Sequence, residues 1–200
     1  MSWIKTIDEE EAQNKLKVYY DAFRAPWGGV DNIVKVQGLI PKYLKSHMDF
    51  YRTLIYGSSP LTRVQREMIA IVVAQSNNCQ YCLYHHSDAL YRLTKNKDYV
   101  KKFREDFRSV YLAPLEIKML EFCERLTREP HFHFQKDIEE LKAEGVNDET
   151  LLAIVMVAGY YNMVNRIIQG LGVELEHYWT EEGFSEESIP MAHDPDSHYG

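Results

Sequence analysis

Residues 62–93 read TRVQREMIAIVVAQSNNCQYCLYHHSDALYRL, and this stretch decides the fold. Thr62 and Gln65 stand at capping-box spacing, in which two side chains satisfy the open N–H groups of a helix start. Val64, Glu67, Met68 and Ile71 then fall at i, i+3, i+4 and i+7, one face of a helix expected to run to about Ser76. Asn77 and Asn78 make a turn, and a second helix is expected from Cys79 to about Leu93. On it Cys79, Cys82, Leu83 and His86 share a stripe, because residues three, four and seven apart lie on one face. The unit is a helical hairpin with chemistry at its bend.

A cysteine at a helix start feels the partial positive charge of unpaired backbone N–H groups, and a C-x-x-C pair adds a neighbouring thiol. Both favour the thiolate, which is the reactive form. His86 lies one turn beyond Cys82, within reach to take or relay its proton. The helix terminus favours Cys79 as the attacking thiol and nearness to His86 favours Cys82; the reading leans to Cys82. Glu67 sits where the period calls for an apolar residue. A carboxylate buried there must pair with a cation, for which Arg166 is one candidate, or have a pKa raised to where a general base works near neutral pH.

Outward from this hairpin the pattern stays helical. Helices are expected over Glu9–Phe23, from Pro41 to about Tyr56 with Leu44, Met48, Tyr51 and Ile55 inward, and near Tyr99–Phe107. Further ones are expected from Pro114 to Glu129, over Phe134–Ala143 with Gly145 closing it, and from an Asn147 or Asp148 cap through Gln169. The Ala25-Pro26-Trp27-Gly28-Gly29 run breaks the chain after the first. No stretch alternates with the two-residue period of a strand, so the expected class is all-α. MIAIVVA from Met68 and LAIVMVA from Leu152 form a weak echo about 84 residues apart. The second copy, with Met163, Arg166 and Gly170 in place of the cysteines and His86, could reproduce the hairpin but not its chemistry.

With 200 residues and 45% hydrophobic content the chain can bury a real core, and residues 1–180 are read as one domain. Residues 181–200 read as an acidic extended tail, carrying Pro190, Pro195, His193 and His198. A net charge of −7 with no basic tract argues against nucleic acid. The N-terminus MSWIKTIDEEEAQ lacks the pattern of a secretion signal, and the strongly apolar run Leu151–Tyr161 is short of the roughly 20 residues that span a bilayer, so no membrane partner is expected. The chain therefore reads as soluble and cytoplasmic. Three cysteines, two in one C-x-x-C, read in a reducing compartment as redox or metal chemistry and not as a disulfide framework.

Glu67, eleven intervening residues and then Cys79-x-x-Cys82-x-x-x-His86 resemble the signature of the AhpD-like alkylhydroperoxidases of the carboxymuconolactone decarboxylase superfamily. LTREPHFHF (126–134) and GVNDETLLAIVMVAGYYNMVNRIIQGLGVELE (145–176) resemble its peroxidase-related subgroup, and the likeness spans about residues 35–177. The resemblance implies an AhpD-like helical bundle, a homo-oligomer, and reduction of hydroperoxides in antioxidant defence without haem, metal or other cofactor. It implies Glu67 and His86 as proton relay, Cys79 as resolving thiol and Cys82 as peroxidatic thiol. It also implies turnover by an external dithiol, such as a thioredoxin-like protein or a lipoyl domain. One position departs: the best-known members carry histidine just before the second cysteine, and here it is Tyr81, a poor base at neutral pH.

Rival readings use the same residues. Cys79, Cys82 and His86 or His85, with His131 or His133, could hold zinc. A disulfide reductase that recycles a partner peroxidase would use the cysteine pair and tolerate Tyr81, and a non-catalytic or zinc-binding oligomer would keep only the fold. Lactone decarboxylation has no evident use for two adjacent thiols. Cys123 reads as a small buried apolar residue, His85, His131 and His133 as surface residues, and Tyr160 and Tyr161 as core or subunit interface. Large apolar helix faces in so short a chain favour a symmetric oligomer.

Overall fold

The computed structural model describes residues 2–25 and 28–185. Among them there are nine α-helices and no extended strand, one isolated bridge between Trp179 and Ser185 apart. The all-α class holds. The chain gathers into two compact units, Met1–Ser58 with Ile167–Gly200, and Ser59–Arg166.

In the first unit, α1 (Asn14–Ala22), α2 (Asn32–Gln37) and α3 (Pro41–Tyr51) surround a cluster of Leu16, Tyr20, Phe23, Val34 and Leu44. The first helix begins five residues later than the expected Glu9. Glu9 is drawn into tertiary contacts instead: its carboxylate accepts from Arg24 at 2.7 Å and from the Val30 N–H at 2.9 Å. Helix α2 was not expected, since six residues are too few to show a period. Pro41 opens α3 as expected, but from Arg52 to Tyr56 the helix widens into a π turn, closed by the Gly57 N–H on the Arg52 carbonyl at 3.1 Å. Leu44 and Ile55 are fully buried, whereas Met48 and Tyr51 are only half-buried. At the start of the expected tail, Thr180 and Phe184 close a turn, with the Thr180 N–H on the Phe184 carbonyl at 2.9 Å, and Phe184 is buried. Pro190, Pro195, His193, His198 and the Pro26-Trp27 breaker lie outside the described residues.

The second unit carries α4 (Arg63–Ser76), α5 (Gln80–Thr94), α6 (Lys97–Glu105), α7 (Pro114–Arg128), α8 (Gln135–Ala143) and most of α9 (Asp148–Leu171). Both halves of the α4 capping box form, the Gln65 N–H on Thr62 Oγ1 at 3.2 Å and the Thr62 N–H on Gln65 Oε1 at 3.0 Å. Helix α4 packs against α5 and α7, and every residue from Arg66 to Ala74 is buried. It is thus a central helix surrounded on all sides, not the one-faced helix its period suggests. Helix α6 starts at Lys97 and not Tyr99, because Asn96 Oδ1 caps it by accepting the Tyr99 N–H at 3.0 Å. Asn147 caps α9 in the same way through the Thr150 N–H at 2.8 Å.

Helix α9 corrects two expectations. The echo does not make a second hairpin, for the helix runs unbroken through Asn162. Asn78 turns the chain because it takes a left-handed φ of 52°, whereas the Asn162 side chain donates back to the Ala158 carbonyl at 3.0 Å and stays helical. By length and composition α9 is also apolar enough to cross a membrane, although 50% of its apolar window is buried inside the protein. Its polar Asn165 is fully buried and hydrogen-bonded, as suits a core helix.

Candidate active site

The bend between α4 and α5 fixes the cysteines. Asn78 lies just past the C-cap of α4; its N–H bonds the Gln75 carbonyl at 3.1 Å, and the Cys79 N–H bonds the Ala74 carbonyl at 2.9 Å. This is a Schellman closure with asparagine at the left-handed position. It places Cys79 as the N-cap of α5, with Cys82 in the first turn. Both are free thiols and only 2% exposed.

The two sulfurs titrate in opposite directions. The Cys82 thiol donates toward Cys79 and holds the Cys79 pKa below its ordinary value; the Cys82 backbone N–H and the charge of His85 act the same way against burial. Cys82 is pushed well up, first by burial and then by the negative charge favoured on Cys79, while Asn165 works in the opposite sense. Of the two sulfurs, Cys79 at the helix start is thus the one more readily ionised, beside a neighbour that burial keeps protonated.

Glu67 and His86, paired by what the resemblance implies, do meet. His86 Nδ1 lies 2.7 Å from Glu67 Oε2, and Arg63 Nη2 lies 2.7 Å from Glu67 Oε1. Glu67 is 1% exposed, so burial alone would raise its pKa. The Arg63 guanidinium, then His86 and Arg66, overcome burial and hold it below the usual carboxylate range. Of the two fates open to a carboxylate at this position, pairing with a cation is the one realised, and the cation is Arg63, one helical turn before Glu67. Arg166 instead bonds the Asn162 carbonyl and side chain at 2.7 and 2.8 Å. An ionised Glu67 accepts from His86, so the Nδ1–H is fixed and Nε2 is left as the exchangeable position. The Tyr161 and His86 rings pack edge to face, 4.4 Å between centroids, and Tyr161 is buried. A buried carboxylate that holds Nδ1–H lets the imidazole take up one proton at Nε2 and give it back, because the anion stabilises the imidazolium that forms.

The remaining candidates fall where they contribute less. Tyr81 is buried and stacks on His85, 4.4 Å between centroids. His131 and His133 are exposed, and among the described residues the Cys79, Cys82 and His86 ligand atoms do not gather within 4.8 Å of one another as a metal set would. Cys123 is fully buried, and burial alone pushes its thiol up.

The profile of the PA26 p53-induced protein (sestrin) family matches residues 2–197. The chain belongs to this family. Its stretch of likeness to mouse Sestrin-2 is 37% identical over 59 residues, which is 30% of this chain and only 12% of that protein. An uncharacterised peroxidase-related protein from Silicibacter sp. TM1040 is similar in structure, with a TM-score of 0.76 and 27% identity over 88% of this chain and 89% of its own. Another, from Ralstonia eutropha JMP134 and described as an alkylhydroperoxidase AhpD core, has a TM-score of 0.80 and 19% identity over 88% and 93%. The AhpD-like fold of the peroxidase-related subgroup is therefore the fold of this sestrin-family chain.

Sequence reasoning missed Arg63, Asn77, Asn162 and Asn165 as parts of the site. Arg63 had a readable signal, since it stands four residues before Glu67. The asparagines had none, because Asn77 donates to Asn162 and Asn165, 85 and 88 residues away.

Proposed function

We propose that the protein is a thiol-dependent hydroperoxide reductase serving antioxidant defence, with Cys79 and Cys82 as the reacting pair and Glu67 and His86 as their proton relay. What carries the reading is one observation: two free thiols of opposite pKa shift share a helical hairpin with a buried, cation-held Glu67–His86 pair. The charges favour Cys79 as first nucleophile, the reverse of the order the resemblance implies. Burial keeps Cys82 protonated, and its thiol and backbone N–H support negative charge on Cys79.

In this cycle His86 takes the proton of Cys79. The Cys79 thiolate attacks the hydroperoxide, an S–O bond forms as the O–O bond breaks, and the departing alkoxide takes the proton from His86 to leave as an alcohol. His86 then accepts the proton of Cys82. The Cys82 thiolate attacks the Cys79 sulfur, the S–S bond forms, and hydroxide leaves and is protonated to water. An external dithiol reduces the disulfide and becomes oxidised itself. No cofactor enters. Association of the chain with itself belongs to the same reading, supported by Leu152, Val155, Met156 and Met163, which expose an apolar face of α9.

A coupled assay tests this. With a thioredoxin-like or dihydrolipoyl reductant, catalytic amounts of the protein are expected to consume an organic hydroperoxide in many turnovers. A single equivalent of thiol oxidation without turnover would reject the reductase, and oxidation only by a partner's disulfide would favour the disulfide-reductase reading that Tyr81 suits.

A further inference from the structure

We propose that Asn165 serves the second half of this reaction, its side-chain Nδ2 standing ready to donate to the Cys82 sulfur when that thiol ionises. The inference rests on the reading above and deepens it.

Asn77, Asn162 and Asn165 form a linked set of amides, and the oxygen and nitrogen of an asparagine are told apart only by their partners. The Ala158 carbonyl can only accept, so the Asn162 group 3.0 Å from it is Nδ2. The Arg166 guanidinium can only donate, so the Asn162 group 2.8 Å from it is Oδ1. These two anchors agree. Asn77 bonds that same Asn162 oxygen at 3.1 Å, so it presents Nδ2, and with that Nδ2 it also bonds Asn165 at 3.0 Å. Asn165 must therefore turn its oxygen to Asn77 and its Nδ2 the other way.

That Nδ2 is fully buried and has no hydrogen-bond partner of normal geometry. A buried amide donor left without an acceptor is costly, and native proteins seldom keep one without a use. The group it bears on is Cys82, whose thiolate it favours. A neutral thiol is a weak acceptor, while a thiolate is a strong one. The donor is thus unsatisfied at rest and satisfied when Cys82 becomes an anion to attack the Cys79 sulfenic acid. A donor aimed at charge that develops only during reaction speeds that step without stabilising the resting state.

The test titrates Cys82 by thiolate absorbance near 240 nm in a protein carrying Cys79→Ser and Cys123→Ala. Adding Asn165→Ala is expected to raise the Cys82 midpoint by about one pH unit or more, the scale of a hydrogen bond to a charged group. Asn165→Asp, of the same shape but without the donor, is expected to raise it further. In protein with all its cysteines, Asn165→Ala should leave formation of the Cys79 sulfenic acid unchanged in rate, slow disulfide formation about tenfold, and so increase capture of the sulfenic acid by dimedone. Midpoints that do not move in either folded variant, as judged by circular dichroism, overturn the proposal. The titration needs no peroxide, so it judges Asn165 even where the peroxidase reading fails.

Discussion

Mixed with one equivalent of an organic hydroperoxide, Cys82→Ser protein is expected to stop with a sulfenic acid on Cys79, and Cys79→Ser protein is expected scarcely to react. The asymmetry follows from the charges on the pair. Cys79 caps α5 and is helped to ionise by the Cys82 thiol and N–H, whereas burial holds Cys82 as a thiol. Loss of Cys79 removes the first nucleophile, so the rate of peroxide consumption should fall on the order of a thousandfold or more. Loss of Cys82 leaves that step and removes only the thiol that completes the disulfide. Dimedone labelling followed by peptide mass spectrometry reads both outcomes. Label on Cys82 in the Cys79→Ser protein, formed as fast as in the wild type, would restore Cys82 as the attacking thiol.

Glu67→Gln is expected to damage both stability and turnover. In the folded protein Glu67 is a buried anion between Arg63 and His86, and removing it leaves the Arg63 charge uncompensated and the His86 ring without its carboxylate acceptor. Breaking a buried pair from one side costs about 3–5 kcal/mol. The lower end applies here, because Arg63 keeps 20% of its side chain in water and can turn outward. Urea unfolding at neutral pH measures this loss. The pH dependence carries a sign as well. The folded-state pKa of Glu67 lies below its ordinary value of 4.5, so its contribution is fully present above that value and is lost as pH falls through the folded pKa. Wild-type protein should lose this part of its stability in acid, and Glu67→Gln should lack it at every pH. Without the carboxylate to hold Nδ1–H, His86 loses its fixed tautomer, and turnover should fall by about 10²–10⁴, the usual worth of a placed acid–base group. Unchanged turnover in folded Glu67→Gln protein would remove Glu67 from the relay.

Much of this site was legible because its main parts lie within one hairpin. The Thr62 and Gln65 box, the Asn78 turn, the cysteine spacing and the misplaced carboxylate are all local signals, and each depends on a period or a cap that a linear sequence displays. Tertiary contacts were not legible in the same way. Glu9 leaves the first helix for Arg24 and Val30, which no helix period announces. The apolar period of α4 suggested one inner face, yet neighbouring helices cover it on all sides. The echo at Asn162 misled because asparagine both turns chains and bonds back within helices, and only the Ala158 carbonyl distinguishes the two uses. The state of Glu67 depended on which cation reached it, a question of distance that spacing alone narrows but does not answer.

Cys79 and Cys82 are expected to act as one redox pair in which Cys123, fully buried and held protonated by burial, takes no part. This is tested by adding one equivalent of an organic hydroperoxide to fully reduced protein, counting free thiols, and mapping any bond formed. Rapid loss of two of the three thiols is expected, with a Cys79–Cys82 disulfide and free Cys123. Three thiols still free after peroxide, in folded protein, would contradict this pairing.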